Sequence, residues 1–176
     1  MNTTILLNSG NYFDFSDIEN QNLDIHDIAH ALSMTCRFGG QCNKFYSVAE
    51  HSVWVSRLVP PEYAMIGLLH DASEAVLGDM PKPLKNIMSE YAEMEKKLEI
   101  NIARQYNIQF PYPSEIKQID IQMLITEQSQ LFSGHIPKTG VFEKAEPLPI
   151  KIECFTPEQA YIRFSKRYNQ LKMDGV

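Results

Sequence analysis

The sequence predicts an all-α domain, a bundle of helices preceded by a small extended hairpin. Two observations carry that reading. Apolar residues recur at i, i+3, i+4 and i+7 over most of the chain, between capping residues at the helix starts and glycine or proline at the ends. Extended character is confined to residues 3 to 15, where Ile5-Leu6-Leu7 and Tyr12-Phe13-Asp14-Phe15 flank the turn signal Asn8-Ser9-Gly10-Asn11. With 176 residues, 44 % hydrophobic and 22 % charged, the chain has the balance of one globular domain, residues 1–176, with a sizeable core.

The elements follow in order. A first helix starts near Asp24, carries Ile25, Ile28, Ala29 and Leu32 on one face, and ends before Gly39-Gly40. A second starts at Ser47, where Ser47-Val48-Ala49-Glu50 reads as a capping box, and stops at Pro60-Pro61. Its buried face is Val48, His51, Ser52, Val55 and Leu58. A third covers roughly Glu62 to Val76. Gly78-Asp79-Met80-Pro81-Lys82-Pro83 is a rigid loop, followed by a long helix from Leu84 to Tyr106 with the stripe Ile87, Tyr91, Met94, Leu98 and Ile102. A fifth begins after Pro113-Ser114 and carries Ile116, Ile119, Met123 and Leu124. Gly134 to Cys154 is expected to be irregular, with Pro137, Gly140, Pro147 and Pro149. The last helix has Thr156 as N-cap, Pro157 at its first position and Gln159 closing the box.

Bulk properties exclude several functions. The net charge of −6 gives no electrostatic case for nucleic acid, and an acidic protein that binds a small anion needs local cations or a metal. Cys36, Cys42 and Cys154 form no disulfide framework or zinc-knuckle spacing, as expected of reduced thiols in the cytoplasm. The first residues, MNTTILLNSGN, lack the basic and apolar regions of a signal peptide, and no stretch reaches the ~20 apolar residues of a membrane span.

Three polar groups sit where the helix patterns call for core: His51, the pair His70-Asp71 within Leu68-Leu69-His70-Asp71-Ala72, and Asp120 between Ile116 and Met123. Taken singly, each has a plain structural explanation, such as a hydrogen-bonded core histidine or an aspartate paired with a buried arginine. The dipeptide is not rare either, since His26-Asp27 is another, and His30 follows His26 at i+4. Asp24 and Asp27 explain that turn as helix-start chemistry. Two imidazoles and two carboxylates on three helices converge only if those helices pack around one point. That donor mix suits a divalent transition metal such as Zn, Mn, Co or Fe.

The pattern His51 … His70-Asp71 … Asp120 resembles the HD-domain metal-dependent phosphohydrolases. The stretches ALSMTCRFGG (31–40), YSVAEHS (46–52), LLHDASE (68–74) and GDMPKPLK (78–85) look like the compact nucleotidase branch of that family, which includes bacterial 5'-deoxynucleotidases and phage dATP triphosphohydrolases. The resemblance runs from about residue 23 to 130 and implies an HD-domain helical bundle. It also implies that His51, His70, Asp71 and Asp120 hold a divalent metal (Zn, Co or Mn), joined by further divalent ions if the substrate is a triphosphate. By the same resemblance, Glu74 positions or deprotonates the attacking water and Asp79 is a second acidic group near the substrate. Arg37, Lys82 and Lys85 meet phosphate, and Phe38, where the bacterial nucleotidases carry Trp, stacks on the base or sugar.

The expected reaction is hydrolysis of the P–O bond next to the sugar of a deoxynucleotide. The first expectation is a dATP triphosphohydrolase of phage type, acting in the host cytoplasm and controlling the purine pool. The alternative is a 5'-deoxynucleotidase acting on monophosphates. From other classes come a non-catalytic HD-fold binding module and a metal-free helical interaction protein. A homo-oligomer, dimer or hexamer, is expected by the same resemblance, with no nucleic-acid or membrane partner.

Overall fold

A computed structural model describes residues 3–133 and 146–175. Strand β1 (Thr4–Leu6) pairs antiparallel with β2 (Tyr12–Asp14), Ile5 opposite Phe13. Gly10 sits at φ +89°, in the turn where a side chain would be strained. A two-stranded ribbon is marginal alone in water. Here Phe13 is buried in the core, and the Asp27 carboxylate accepts the Ser9 N–H at 2.8 Å and its hydroxyl at 2.7 Å. Asp27, expected as helix-start chemistry, is buried and ties the hairpin to the first helix.

Helix α1 (Ile25–Met34) has Asp24 as its N-cap, accepting from the His26 N–H. It ends well short of the expected glycines. Cys36 bridges to Ser47, the Arg37 N–H donates to Tyr46 O and the Val48 N–H to Thr35 O. The Thr35 N–H closes the helix on Ala31 O, while the Thr35 carbonyl and the Arg37 N–H are spent on residues 46–48, so the chain leaves the helix there. Arg37–Gly40 forms a tight turn in which Phe38 and Gly39 are left-handed.

Helix α2 (Val48–Leu58) is capped by Ser47, whose Oγ accepts the Glu50 N–H at 3.1 Å. The other half of the expected capping box does not form. Glu50, 1 % exposed, instead accepts the successive N–H groups of Glu153, Cys154 and Phe155 at 3.1, 3.2 and 2.8 Å. Those amides converge around Cys154, whose φ of +58° shapes an anion-binding nest.

The expected single helix over Glu62–Val76 is two pieces, α3 (Ala64–Leu69) and α4 (Glu74–Leu77). Between them the ladder tightens to i→i+3 bonds, Ala72 N–H to Leu69 O and Glu74 N–H to Asp71 O, both at 3.0 Å. The break falls on His70-Asp71. α3 lies very close to α2: a Cβ on Gly67 would stand 3.1 Å from Ser56 Cα and from Val59 Cγ2.

The long helix expected from Leu84 to Tyr106 is also two, α5 (Lys82–Lys85) and α6 (Ser89–Gln105). After α5 the amides of Ile87 and Met88 turn back to Leu84 and Lys85, which closes that turn, and Met88 leaves helical geometry. Ile87 is 80 % exposed and not part of the stripe; α6 buries Leu98, Asn101, Ile102 and Ala103. Helix α7 (Ser114–Leu131) and α8 (Pro157–Asp174) match expectation, and the capping box of Thr156 and Gln159 is complete. Of the expected irregular segment, residues 134–145 with Pro137 and Gly140 lie outside the described residues, and 146–156 forms no helix or strand. Among the described residues no helix is long and apolar enough to cross a membrane.

The fold is an all-α bundle with an N-terminal hairpin. Its apolar interior has two parts. One joins Phe13, Leu23, Ile28, Leu32, Leu68, Leu98, Ile102 and Phe164; the other joins Tyr46, Val55, Val59, Ile66, Ile116 and Met123. Helix α2 contributes to both, Val48 and Val53 to the first, Val55 to the second. α2 packs on α1, α3, α7 and α8, and this places His51 in the middle of the molecule.

Candidate metal centre

His51 projects from α2, His70 from the break after α3, and Asp120 from α7. Among the described residues these three form the only group of three or more His, Cys, Asp or Glu whose ligand atoms all lie within 4.8 Å of one another. The two imidazole Nε2 atoms are 3.3 Å apart. Asp120 Oδ1 is 3.3 Å from His51 Nε2, and Asp71 Oδ2 is 3.5 Å from His51 Nε2 and 3.2 Å from His70 Nε2. Of the four residues expected to hold a metal, His51, His70 and Asp120 thus form one group, and Asp71 adjoins it beside the two imidazoles. His26 and His30 belong to no such group; His26 is exposed beside the Tyr161 hydroxyl.

The outer ring nitrogens settle how the inner ones face. His70 Nδ1 lies 2.9 Å from Gly67 O, a carbonyl that only accepts. His51 Nδ1 lies 2.6 Å from Glu127 Oε1, whose carboxylate also accepts the Tyr46 hydroxyl at 2.8 Å. Each imidazole therefore donates outward and turns an Nε2 lone pair inward. Two such lone pairs at 3.3 Å repel unless a cation or proton lies between them, and two carboxylates close the set. Two nitrogens and two oxygens fit a divalent transition metal. The histidines are buried, while the side chains of Asp71 and Asp120 are 21 % and 43 % exposed. The centre is open on its carboxylate side.

The charges within the centre answer one another. Burial and the Arg37 charge press the His51 pKa down, yet the Glu127 and Asp120 carboxylates raise it to about 9. Burial opposes His70 in the same way, and Asp71 raises it. Asp71, although partial burial opposes it, is held far below the ordinary carboxylate range by His70, His51 and Arg37. Glu127 is lowered against its burial by Arg37 and His51.

Glu74 is 7 % exposed and its Oε2 has no hydrogen-bond partner among the described residues. Burial first, then the charges of Asp71 and Asp79, hold its carboxyl well above the ordinary range, while Arg37 and Lys85 oppose this. An unpartnered buried carboxyl beside a metal centre is a candidate acid or base.

The residues expected to touch substrate have diverse surroundings. Arg37 is buried, its Nη1 3.4 Å from Asp71 Oδ2 and its Nε 3.2 Å from Glu127 Oε2. Phe38 adopts left-handed φ +58°, ψ 29°, which costs an L-residue about 1–2 kcal/mol. Asp79 holds it there, accepting the Phe38 N–H at 2.9 Å, and its ring packs edge-on against Phe132. Lys85 is ion-paired with Glu95, while Lys82 is exposed.

The sequence reading missed Glu127, which is fully buried. A signal was present: it lies four residues after Met123 and seven after Asp120, on the same stripe of α7. The free cysteines lie outside the metal group, and burial raises the Cys42 thiol to about 11.

Comparison with known proteins agrees with this chemistry. A model of the family described as 5'-deoxynucleotidase YfbR-like matches residues 39–160. The uncharacterized protein YfdR of Escherichia coli K12 is 37 % identical over 173 residues, covering 93 % of this chain and 92 % of that protein. The 5'-deoxynucleotidase VP0926 of Vibrio parahaemolyticus is 24 % identical over 140 residues, with 78 % and 60 % covered. The 5'-deoxynucleotidase YfbR of Salmonella arizonae is 31 % identical over 105 residues, with 58 % and 44 % covered. The chain thus spans only about half the length of the relatives whose names carry an activity. Two inward imidazoles, two carboxylates and a family match over well over half of the chain converge on one assignment: the chain belongs to the YfbR-like family of HD-domain 5'-deoxynucleotidases, metal-dependent phosphohydrolases.

Proposed function

We propose that the protein is a 5'-deoxynucleotidase, hydrolysing deoxynucleoside 5'-monophosphates to deoxynucleoside and inorganic phosphate. The observation that carries this is the convergence of His51, His70 and Asp120 on one point, beside the buried and unpartnered Glu74. The names of the relatives favour the monophosphate. None of these findings supports the dATP triphosphohydrolase first expected from the motifs, nor its phage setting.

His51, His70, Asp71 and Asp120 would hold the divalent cation. When bound, that cation lowers the pKa of its water and polarises a phosphoryl oxygen. Glu74 takes the proton of the attacking water, and the new P–O bond forms as the P–O5' bond breaks. The proton passes to O5', which leaves as the hydroxyl of the deoxynucleoside. Arg37 and Lys85 offset the charge of the phosphate. Asp79, by fixing Phe38 at the edge of the centre, shapes the wall that the sugar or base meets.

The test is incubation of purified protein with manganese(II), cobalt(II) or zinc(II) and each dNMP and dNTP, with phosphorus products identified by NMR. Inorganic phosphate from dNMPs is expected, with dNTPs left intact. Triphosphate released from dATP would overturn the monophosphate reading and leave the metal centre standing. The Glu74→Gln variant should still bind metal and lose about 10²–10⁴-fold in turnover.

A further inference from the structure

We infer that Glu127 is the positioning residue of this site, holding the metal ligand His51 with one carboxylate oxygen and Arg37 with the other. The inference rests on the metal-centre reading above. Glu127 is 0 % exposed on α7. Its Oε1 takes the His51 Nδ1–H at 2.6 Å and the Tyr46 hydroxyl at 2.8 Å, while Oε2, which accepts no hydrogen bond among the described residues, is ion-paired with Arg37 Nε at 3.2 Å. Arg37 reaches on to Asp71 with Nη1 at 3.4 Å. The chain of contacts therefore runs from one metal ligand through Glu127 and Arg37 to another.

Only a carboxylate can do this. Every group facing Glu127 is a donor: the imidazole N–H, the phenol and the guanidinium. A glutamine offers one oxygen and one NH₂, so it can serve the His51 and Tyr46 side or the Arg37 side, but not both. Facing its oxygen to His51 sets its NH₂ against the guanidinium; facing it to Arg37 sets the NH₂ against the His51 N–H and turns the ring or its tautomer. Either way the inward lone pair of His51 or the position of Arg37 is lost. Carboxylates in this place behind metal-bound histidines typically carry 10–100-fold in metal affinity.

The experiment titrates manganese(II) into metal-free native protein and Glu127→Gln, following the free ion by electron paramagnetic resonance. Circular dichroism checks that each protein is folded. The expected result is a dissociation constant raised about 10–100-fold in Glu127→Gln, with KM for the nucleotide raised as well through Arg37. If Glu127→Gln does not fold, Glu127→Asp carries the test. It keeps the charge but is one methylene shorter, so it cannot span both partners, and a loss of at least fivefold is expected. Tyr46→Phe, which leaves both spans in place, should bind within threefold of native. Manganese affinity within twofold of native in the folded Glu127 variant would overturn the inference. Absence of manganese binding by the native protein would instead overturn the metal centre itself, so the two failures are distinct.

Discussion

The chain contains the dipeptide His-Asp twice, and the two copies do opposite work. At His26-Asp27 the histidine is exposed and the aspartate is buried, binding the Ser9 N–H and hydroxyl. At His70-Asp71 the histidine is buried and the aspartate opens to solvent. The first pair sits in the opening turn of an unbroken helix, where Asp27 meets Ser9 of the hairpin and His26 the Tyr161 hydroxyl of α8. The second falls where α3 breaks, and Gly67 lets that break lie against α2 within reach of His51. The lesson is that the dipeptide carries no chemistry of its own. The packing of a second and third helix makes one copy part of the candidate metal centre and leaves the other a structural clasp.

The comparison can be broken most directly at His70. His70→Ala should abolish hydrolysis and remove the stabilisation by manganese, which for the native protein amounts to about 2.7 kcal/mol at a free-ion concentration 100 times Kd. Thermal melts with and without the ion check this. An unchanged manganese-induced shift in that variant would mean the centre lies elsewhere.

Asp27→Ala gives the complementary, smaller effect. Two hydrogen bonds to an ionised group are lost and the hairpin is released from α1, so stability should fall by about 2–3 kcal/mol in urea. The manganese-induced shift should survive intact. A variant that lost manganese binding along with stability would show that the clasp and the centre are one unit.

The smallest effect concerns a carboxylate whose burial is poorly compensated. Glu99 on α6 has its pKa raised to about 7, by burial first and then by Glu95. The folded state then holds this proton more tightly than the unfolded chain, whose value is near 4.5. Stability from this group is therefore full below the unfolded value and lost as pH rises from there through about 7. Glu99→Gln should flatten that part of the profile and raise the urea midpoint at pH 8 relative to native, with little change at pH 4. A native profile without this decline, or an unchanged midpoint at pH 8, would count against the buried acid.

Much of the site was legible because metal chemistry needs polar residues where helices need apolar ones. His51, His70, Asp71 and Asp120 were each visible as a violation of the local stripe, and Glu127 violates its own stripe in the same way. Glu50 was legible only in part. Its place near the start of α2 suggested a capping partner, yet its carboxylate closes on amides more than a hundred positions away. The helix breaks at His70-Asp71 and Asn86–Met88 were hidden for a related reason. The i→i+3 and i→i+4 patterns continue through both, and the departure lies in backbone bonds that periodicity does not encode.

By itself the sequence determined what is local: the hairpin turn, the caps at Asp24, Ser47 and Thr156, the apolar faces, and which side chains could ligate a metal. Those depend on residues within a turn of one another, whose geometry the chain sets by covalent connection. Only the tertiary structure decided which acids serve and which merely fasten. His51 meets Glu127 across 76 positions and His70 across 19. A buried charge takes whatever donors the packing of α2, α3 and α7 brings to it.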